Sequence, residues 1–321
     1  AIVGYISSGN CQALAPVAEE LKQFTIFATC GTPRIFEEAA RKYVFRTMGH
    51  ATADNVAAAM YVKEKYPNLK GYTGINQNYA WGQDSWRDFD LTLKQIMPGS
   101  SPSDKTQFPK IFAGQYGSEI SAMSLDKAEL IHTSFWGGDL EAFIFQGNAR
   151  GLFKKKIGVF TVGGTAAYRL GKKLPNGLVL GARGPYGILV KDRDSALNQW
   201  FVSTYKNLYG TYPSGPAYQY GQAILATKIA YDKAGSDASN EQLADALRGI
   251  TFESFSTTVE MKLGNGHQAA TENGYGITEY DSENGENVVK DVKFYPASCV
   301  LPPEGQNSVD WIKGGMKGAK C

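Results

Sequence analysis

The chain contains 321 residues and has a mass of 34.9 kDa, a length that suggests two domains. Its 33 basic and 31 acidic residues give a formal net charge of +2, which provides no electrostatic reason to expect a nucleic acid or an anionic membrane as a partner. Hydrophobic residues make up 43%, which excludes wholesale disorder, and no apolar run approaches the roughly 18 residues of a membrane-spanning helix.

Strands and helices alternate from the first residue onward. Residues 1–6 are predicted to form a buried strand, 11–22 a helix with apolar side chains at helical spacing, and 24–28 a second strand. Such alternation favours a parallel sheet. It continues with predicted helices over 53–65, 83–97, 139–150 and 165–172, and predicted strands over 70–76, 110–114, 129–135, 157–162 and 178–182.

The pattern changes after residue 187, where helices first follow one another and strands come later. The predicted elements are helices over 194–209, 216–234 and 240–248, strands over 257–263, 274–280 and 288–294, and an irregular Pro- and Gly-rich stretch over 296–321.

Catalytic signatures are absent apart from two weak candidates. No G-x-S-x-G, Walker A or H-E-x-x-H motif is present, and no G-x-G-x-x-G follows a strand. The S-x-x-K match at Ser203–Lys206 is interpreted as a solvated helix face, and Asp139 and Glu141 point in different directions on a helix. The sequence therefore indicates a protein that is not an enzyme and uses no cofactor.

Four cysteines, Cys11, Cys30, Cys299 and Cys321, are spread over the chain. None forms a C-x-x-C pair and the three histidines are scattered, so no metal site is expected. The even number permits two disulfides in an oxidising compartment, but four free buried thiols are equally compatible with the count.

Two polar loops follow neighbouring predicted strands. Ser7–Asn10 and Thr29–Thr32 each lie where a strand ends, and the first of them opens a helix. Free N–H groups and hydroxyls at such positions bind carboxylates or phosphates, and ligands of α/β sheets bind at the carboxyl ends of the strands. The alternative is that these Ser and Thr residues only cap helices.

Aromatic residues occupy the corresponding loops of the next sheet. Tyr79–Gly82 and Phe135–Asp139 follow two predicted strands, and Gly163–Thr165 follows a third. Aromatic residues in Gly-containing loops at strand ends favour a cleft over a core position. We therefore expect Trp81 and Trp136 to sandwich an apolar or aromatic ligand.

Seven segments of the chain carry a family resemblance: Ile6–Gly9, Ala15–Glu20, Gly31–Thr32, Tyr43–Arg46, Tyr79–Gly82, Phe135–Glu141 and Gly264–Gln268. They resemble type I periplasmic solute-binding proteins of ABC importers, in particular the leucine/isoleucine/valine-binding class. The resemblance runs over nearly the whole chain, except that the family's first two β-α units have no counterpart, so we expect an N-terminal segment with a signal peptide to be missing.

The resemblance implies two doubly wound αβ lobes joined by a three-crossing hinge, with the ligand in the interlobe cleft. The first lobe is predicted as 1–48 plus 185–255, the second as 50–182 plus 258–296, and 297–321 as an irregular C-terminal tail. It also implies a periplasmic monomer that delivers its ligand to an ABC permease in the inner membrane. The three crossings are expected near Met48–His50, Ala182–Pro185 and Ser254–Val259.

The family's binding residues map onto this sequence. A Ser and a Thr that hold the ligand carboxylate match Ser8 and Thr32, with backbone contacts at Gly9 and Cys30, and a covering aromatic matches Trp81. The further expected ligand-binding residues are Trp136, Asp139, Gly164, Thr165 and Tyr218.

One departure from the family concerns the acid that holds the ammonium group of an amino acid. The matching stretch Val162–Thr165 contains no acid, and Asp139 is the candidate substitute. If Asp139 faces the cleft, the ligand is an amino acid, branched-chain or aromatic. If it faces away, an unpaired ammonium is costly and an amine-free aromatic or aliphatic carboxylate fits better. A ligand-sensing domain of the same fold is a further alternative.

Within the implied fold the cysteines fall into two candidate pairs. Cys11 lies in the first turn after one strand and Cys30 at the end of its parallel neighbour, positions that come within disulfide range. Cys299 and Cys321 would tie the C-terminal tail to itself. We therefore predict the disulfides Cys11–Cys30 and Cys299–Cys321.

Overall fold

The computed structural model describes residues 1–321 and consists of two α/β lobes, each with its own sheet, which confirms the predicted fold class. In spatial order the first sheet contains β1 (Ile2–Gly4), β2 (Thr25–Phe27), β3 (Val44–Arg46), β11 (Gln268–Ala270), β10 (Thr258–Leu263) and β9 (Thr251–Glu253). The second contains β13 (Glu286–Tyr295), β12 (Asn273–Asp281), β8 (Val179–Gly181), β7 (Ile157–Phe160), β6 (Leu130–Thr133), β4 (Gly71–Gly74) and β5 (Ser101–Pro102).

Helices cover both faces of the sheets. Short 3-10 turns at Leu152–Lys154, Gly163–Thr165, Gly171–Lys173 and Gly187–Leu189 connect some of the elements. The helices are α1 (Ser8–Glu20), α2 (Arg34–Glu37), α3 (Ala51–Lys65), α4 (Ala80–Ile96), α5 (Gly117–Leu125), α6 (Gly137–Ala149), α7 (Ala167–Leu170), α8 (Ala196–Tyr209), α9 (Gly215–Ala234), α10 (Asn240–Leu247), α11 (Ala297–Val300) and α12 (Ser308–Lys313).

Alternation along the buried strands builds a core on each face of the first sheet. Ile26 and Phe45 pack with side chains of α9 and α10, whereas Phe27 and Val44, one residue away along each strand, pack with those of α1. Successive side chains of a strand point to opposite faces. Strands covered on both faces therefore read as continuous apolar runs, which is why β2 was predictable.

The second sheet follows the same rule. Ile131 and Phe160 pack in the cluster that includes α5 and α6, and Leu130 and Val159 pack in the cluster that includes α3 and α4. Strands β4, β6, β7 and β8 pair in parallel, so the loops at their carboxyl ends emerge at one edge of the sheet. This edge carries the loops that were predicted to bind a ligand.

The chain crosses between the two sheets three times, after β3, after β8 and after β11. The third crossing lies between Ala270 and Asn273, so the expectation of a crossing near Ser254–Val259 needs correction. The reason is the pairing of the late strands: β9 and β10 form an antiparallel pair, and Gln268 of β11 pairs with Arg46 of β3. The segment 258–270 therefore belongs to the first sheet.

Two further expectations differ from the structure. Residues 110–114 form no strand, and β5 pairs beside β4 instead. The C-terminal stretch 297–321 contains α11 and α12, and Trp311 and Ile312 are buried in the core cluster of α3 and α4. Helices of four and six residues are too short to show a helical period in the sequence.

All four cysteines form disulfides. Cys11 is paired with Cys30 and Cys299 with Cys321, with Cα–Cα distances of 6.4 Å and 4.7 Å. None of the helices combines the length and the apolar character that crossing a membrane requires. No group of three or more His, Cys, Asp or Glu side chains is arranged to hold a metal ion.

Candidate functional site

A cavity of about 260 Å³ lies between the two lobes at the carboxyl ends of their strands. It is formed by the loops after β1, β2, β4, β6, β7 and β8 and by the beginning of α9. Its lining residues are Ile6, Ser8, Thr29, Gly31, Tyr79, Trp81, Trp136, Gly137, Val162, Thr165, Arg169, Arg183, Ser214, Pro216 and Gln219.

Three aromatic rings from the second lobe form one wall of the cavity. The indole Nε1 of Trp81 donates to the carbonyl of Ser134 at 2.8 Å, and that of Trp136 donates to the hydroxyl of Tyr79 at 2.7 Å. Burial raises the pKa of Tyr79, so its hydroxyl stays neutral. Because the polar atoms of both indoles are satisfied, the rings present their apolar surfaces to a ligand.

The opposite wall offers hydrogen-bond donors. The hydroxyl of Ser8 accepts from the backbone N–H groups of Gly31 and Thr32, each at 3.2 Å, and so keeps its own O–H free to donate. Gln219, 2% exposed on α9, has a side-chain Nε2 without any partner. Both groups suit a ligand oxygen better than a ligand N–H.

Arg183 is the buried cation of the cavity. It lies directly after β8 at φ +61°, with its guanidinium 4.2 Å from the centre of the Trp81 ring. Its Nη1 donates to the carbonyl of Thr29 in the first lobe, its Nε lies 3.4 Å from Asp54 Oδ2, and its Nη2 has no partner. An unsatisfied buried donor is costly, so Nη2 is a candidate position for a ligand acceptor.

Gly31 allows this arrangement to form. A Cβ at this position would overlap the ring of Trp81 and the Nη2 atom of Arg183. Only glycine lets the backbone of the first lobe approach these two side chains so closely. Gly31 thus lies at a close contact between the lobes.

Four of the expected ligand-binding residues line the cavity: Ser8, Trp81, Trp136 and Thr165. Thr165 stands in the 3-10 turn after β7, and its hydroxyl donates to the carbonyl of Val162 at 2.8 Å.

Three other expected residues turn away because distant partners hold their polar groups. The hydroxyl of Thr32 donates to Asp84 at 2.7 Å. The carboxylate of Asp139 accepts from Gln77 Nε2 at 2.6 Å and from a backbone N–H at 2.7 Å. Tyr218 is buried in the core and donates to Asn198 at 2.9 Å, so its neighbour Gln219 faces the cavity instead.

The remaining expected residues, Gly9, Cys30 and Gly164, also lie outside the lining. Gly9 is exposed in the first turn of α1. The carbonyl of Cys30 accepts from Arg46 at 2.9 Å, and Gly164 packs against Ala182.

Sequence reasoning missed Arg183, Arg169, Tyr79 and Gln219 as lining residues. Arg183 carried a usable signal, because it stands between glycines in the loop after a predicted strand, the same setting that selected the two tryptophans. Gln219 carried none, since a helix residue beside a core tyrosine shows no pattern of its own.

Solved structures similar to this chain share its fold at low identity. One is a solute-binding protein of an ABC transporter from Rhodopseudomonas palustris BisB5, in complex with 3,4-dihydroxybenzoic acid; identity is 19%, the TM-score is 0.79, and the match covers 92% of this chain and 78% of that one. Another solute-binding protein from R. palustris, in complex with benzoate, has 20% identity and a TM-score of 0.75, and the match covers 90% of this chain and 76% of that one. A leucine-binding protein, LivK, from Thermotoga maritima has 18% identity and a TM-score of 0.70, and the match covers 91% of this chain and 79% of that one.

One sequence comparison, with a family model, identifies the family. No curated protein matches the chain by sequence. The family model described as periplasmic binding protein matches residues 1–286, which include both sheets apart from most of β13. The chain belongs to the periplasmic binding protein family.

Proposed function

We propose that this protein is the solute-binding component of an ABC importer. In this proposal it acts in the periplasm as a monomer, closes its two lobes on a ligand and delivers the ligand to an inner-membrane permease, without catalysing a reaction. The family membership and the cavity between two lobes with a three-crossing hinge support this function.

The ligand we propose is a small aromatic carboxylate without an amine. The observation that carries this proposal is the charge of the lining, which contains Arg169 and Arg183 but no Asp or Glu. Asp139, the candidate partner for an ammonium group, is held by Gln77 and by backbone N–H groups outside the cavity. An α-ammonium in this cleft would be buried without a carboxylate, which is costly.

The lining suits the two ends of such a ligand. Its carboxylate would accept from Arg183 Nη2 and from the hydroxyl of Ser8, since both residues contact the loop after β2. Its ring would lie against Trp81 and Trp136, whose polar atoms are already bonded within the protein. The similar proteins crystallised with benzoate and 3,4-dihydroxybenzoic acid support the same ligand class.

Thermal melting against a ligand panel tests the proposal. The panel contains benzoate, 4-hydroxybenzoate, 3,4-dihydroxybenzoate, leucine and phenylalanine. A ligand at 100 times its Kd stabilises the folded state by about 2.7 kcal/mol, which corresponds to a rise of several degrees. We expect this rise with the benzoates alone. A rise with leucine or phenylalanine and none with the benzoates would contradict the proposed ligand.

The variant Arg183→Gln identifies the carboxylate-binding residue. Hydrogen bonds to charged groups contribute about 1.5–3 kcal/mol, so we expect benzoate to bind about 10- to 100-fold more weakly. Arg193→Gln is the matched control, because Arg193 also contacts a carbonyl, an acid and an aromatic ring but does not line the cavity. Equal losses of affinity in both variants would contradict the assignment.

A further inference from the structure

Asp54, in the first turn of α3, joins the three crossings of the hinge. It follows the first crossing, its Oδ2 faces Arg183 on the second at 3.4 Å, and its Oδ1 accepts from Asn273 Nδ2 on the third at 2.7 Å. The hydroxyl of Tyr275 donates to its backbone carbonyl at 2.7 Å. The residue therefore touches every segment that connects the lobes.

Asp54 is also the only acidic residue paired with Arg183. The side chains of the pair are 2% and 9% exposed, so the two charges compensate each other away from water. A ligand carboxylate that binds Nη2 of Arg183 would place a second anion on the same buried guanidinium. Two carboxylates on one guanidinium repel each other, and this repulsion favours the protonated form of one of them.

The ionisable groups around Asp54 are two arginines, two tyrosines and one histidine. Arg183 follows β8 and Arg46 ends β3, and both cations favour the charged carboxylate. Tyr275 of β12 and Tyr186 stay neutral because burial raises the pKa of each, and burial lowers the pKa of His50 well below its usual range. On α4, Asp88 accepts a hydrogen bond from the hydroxyl of Thr52 on α3 and does not contact Asp54. Helix α11 carries no charged side chain.

We propose that Asp54 is the specificity-determining counter-ion of Arg183 and that it takes up one proton when an anionic ligand binds to that arginine. The proposal rests on the proposed function, since it requires a carboxylate ligand. The ligand stays ionised, the solvent supplies the proton, and the protonated Asp54 leaves the Arg183–ligand pair neutral. A ligand without an anionic group would gain nothing from this exchange.

The titration range of Asp54 suits this role. Burial raises its pKa to about 6, against the opposing effects of Arg183 and of the hydrogen bond from Asn273. A bound anion raises the pKa further, so between the two values binding takes up a proton. The affinity for benzoate should therefore increase as the pH falls from about 8 toward 6, by at most tenfold per pH unit, and should level off below that.

Isothermal titration with benzoate in two buffers of different ionisation enthalpy measures the proton uptake directly. At about pH 7 we expect a buffer-dependent heat in the wild type and a buffer-independent heat in Asp54→Asn, whose affinity should also lose its pH dependence. Asp88→Asn is the matched control. Burial likewise raises the pKa of Asp88 to about 6, but its partners are Thr52 and Arg87 outside the cavity.

The wild-type titration alone decides the proposal if the Asp54 variant fails to fold. Benzoate binding with the same heat in both buffers would overturn the inference and leave the proposed function intact. Proton uptake that persists in folded Asp54→Asn, or that disappears in Asp88→Asn, would assign the proton to another group and overturn it as well. Absence of binding by benzoate and both hydroxybenzoates would overturn the proposed ligand together with this inference.

Discussion

At the scale of single residues, the cleft depends on groups whose partners are fixed elsewhere. Trp81 is held by the carbonyl of Ser134, and Arg183 by Thr29 and Asp54. Both side chains pack closely against the backbone of Gly31, where a Cβ would overlap them. The shape of the site is therefore set by a residue that contributes no functional group.

A methyl group at Gly31 should weaken ligand binding more than it lowers the stability of the fold. In Gly31→Ala the new Cβ would displace Trp81 and Arg183 from their contact, so we expect at least tenfold weaker binding of the best benzoate ligand by titration calorimetry. Gly99→Ala is the control, because a Cβ at Gly99 meets no atom within 4 Å. Unchanged affinity in Gly31→Ala would show that the contact is unimportant for the site.

At the scale of elements, the C-terminal segment shows how a short, irregular sequence acquires structure. Trp311 and Ile312 of α12 are buried against the cluster of α3 and α4, and the disulfide Cys299–Cys321 holds the segment closed. The segment thus covers an outer face of the second lobe. Its order comes from packing and from the covalent bond, since its helices are too short to be stable alone.

Removal of this disulfide should lower stability without affecting the cleft. A loop of 22 residues corresponds to about 3 kcal/mol in the chain-entropy treatment, so Cys299→Ser/Cys321→Ser should melt several degrees lower. Affinity for the ligand should stay the same, because no residue of this segment lines the cavity. Free-thiol titration of the unfolded wild type without reductant is the check on pairing, and a count of four thiols would contradict it.

At the scale of the whole molecule, polar contacts between side chains tie the two lobes together. Asp84 on α4 accepts from Thr32 at 2.7 Å and pairs with Arg34 at 2.7 Å, and both of these residues follow β2 of the first lobe. The side chain of Asp84 is fully buried and also pairs with Arg87 of the same helix at 2.8 Å. The contacts exist only while the lobes are close.

Loss of the Asp84 charge should therefore favour separation of the lobes. In Asp84→Asn we expect several-fold weaker ligand binding and a larger radius of gyration of the ligand-free protein in small-angle scattering. Asp90→Asn is the control on the same helix, because Asp90 bonds Lys94 and Tyr72 within the second lobe. A radius of gyration that is identical in the wild type and both variants would argue against a closing role for Asp84.

The sequence by itself determined the alternating β-α order and the loops that carry the cleft, because strand and helix periods are local properties of the chain. It located Ser8, Trp81, Trp136 and Thr165 in these loops for the same reason. Only the tertiary structure decided which polar groups stay free. Thr32 and Asp139 are occupied by partners 52 and 62 residues away, whereas Arg183 keeps an unbonded Nη2. Whether a polar group is free to bind a ligand depends on its neighbours in space. These neighbours come from the other lobe or from distant loops.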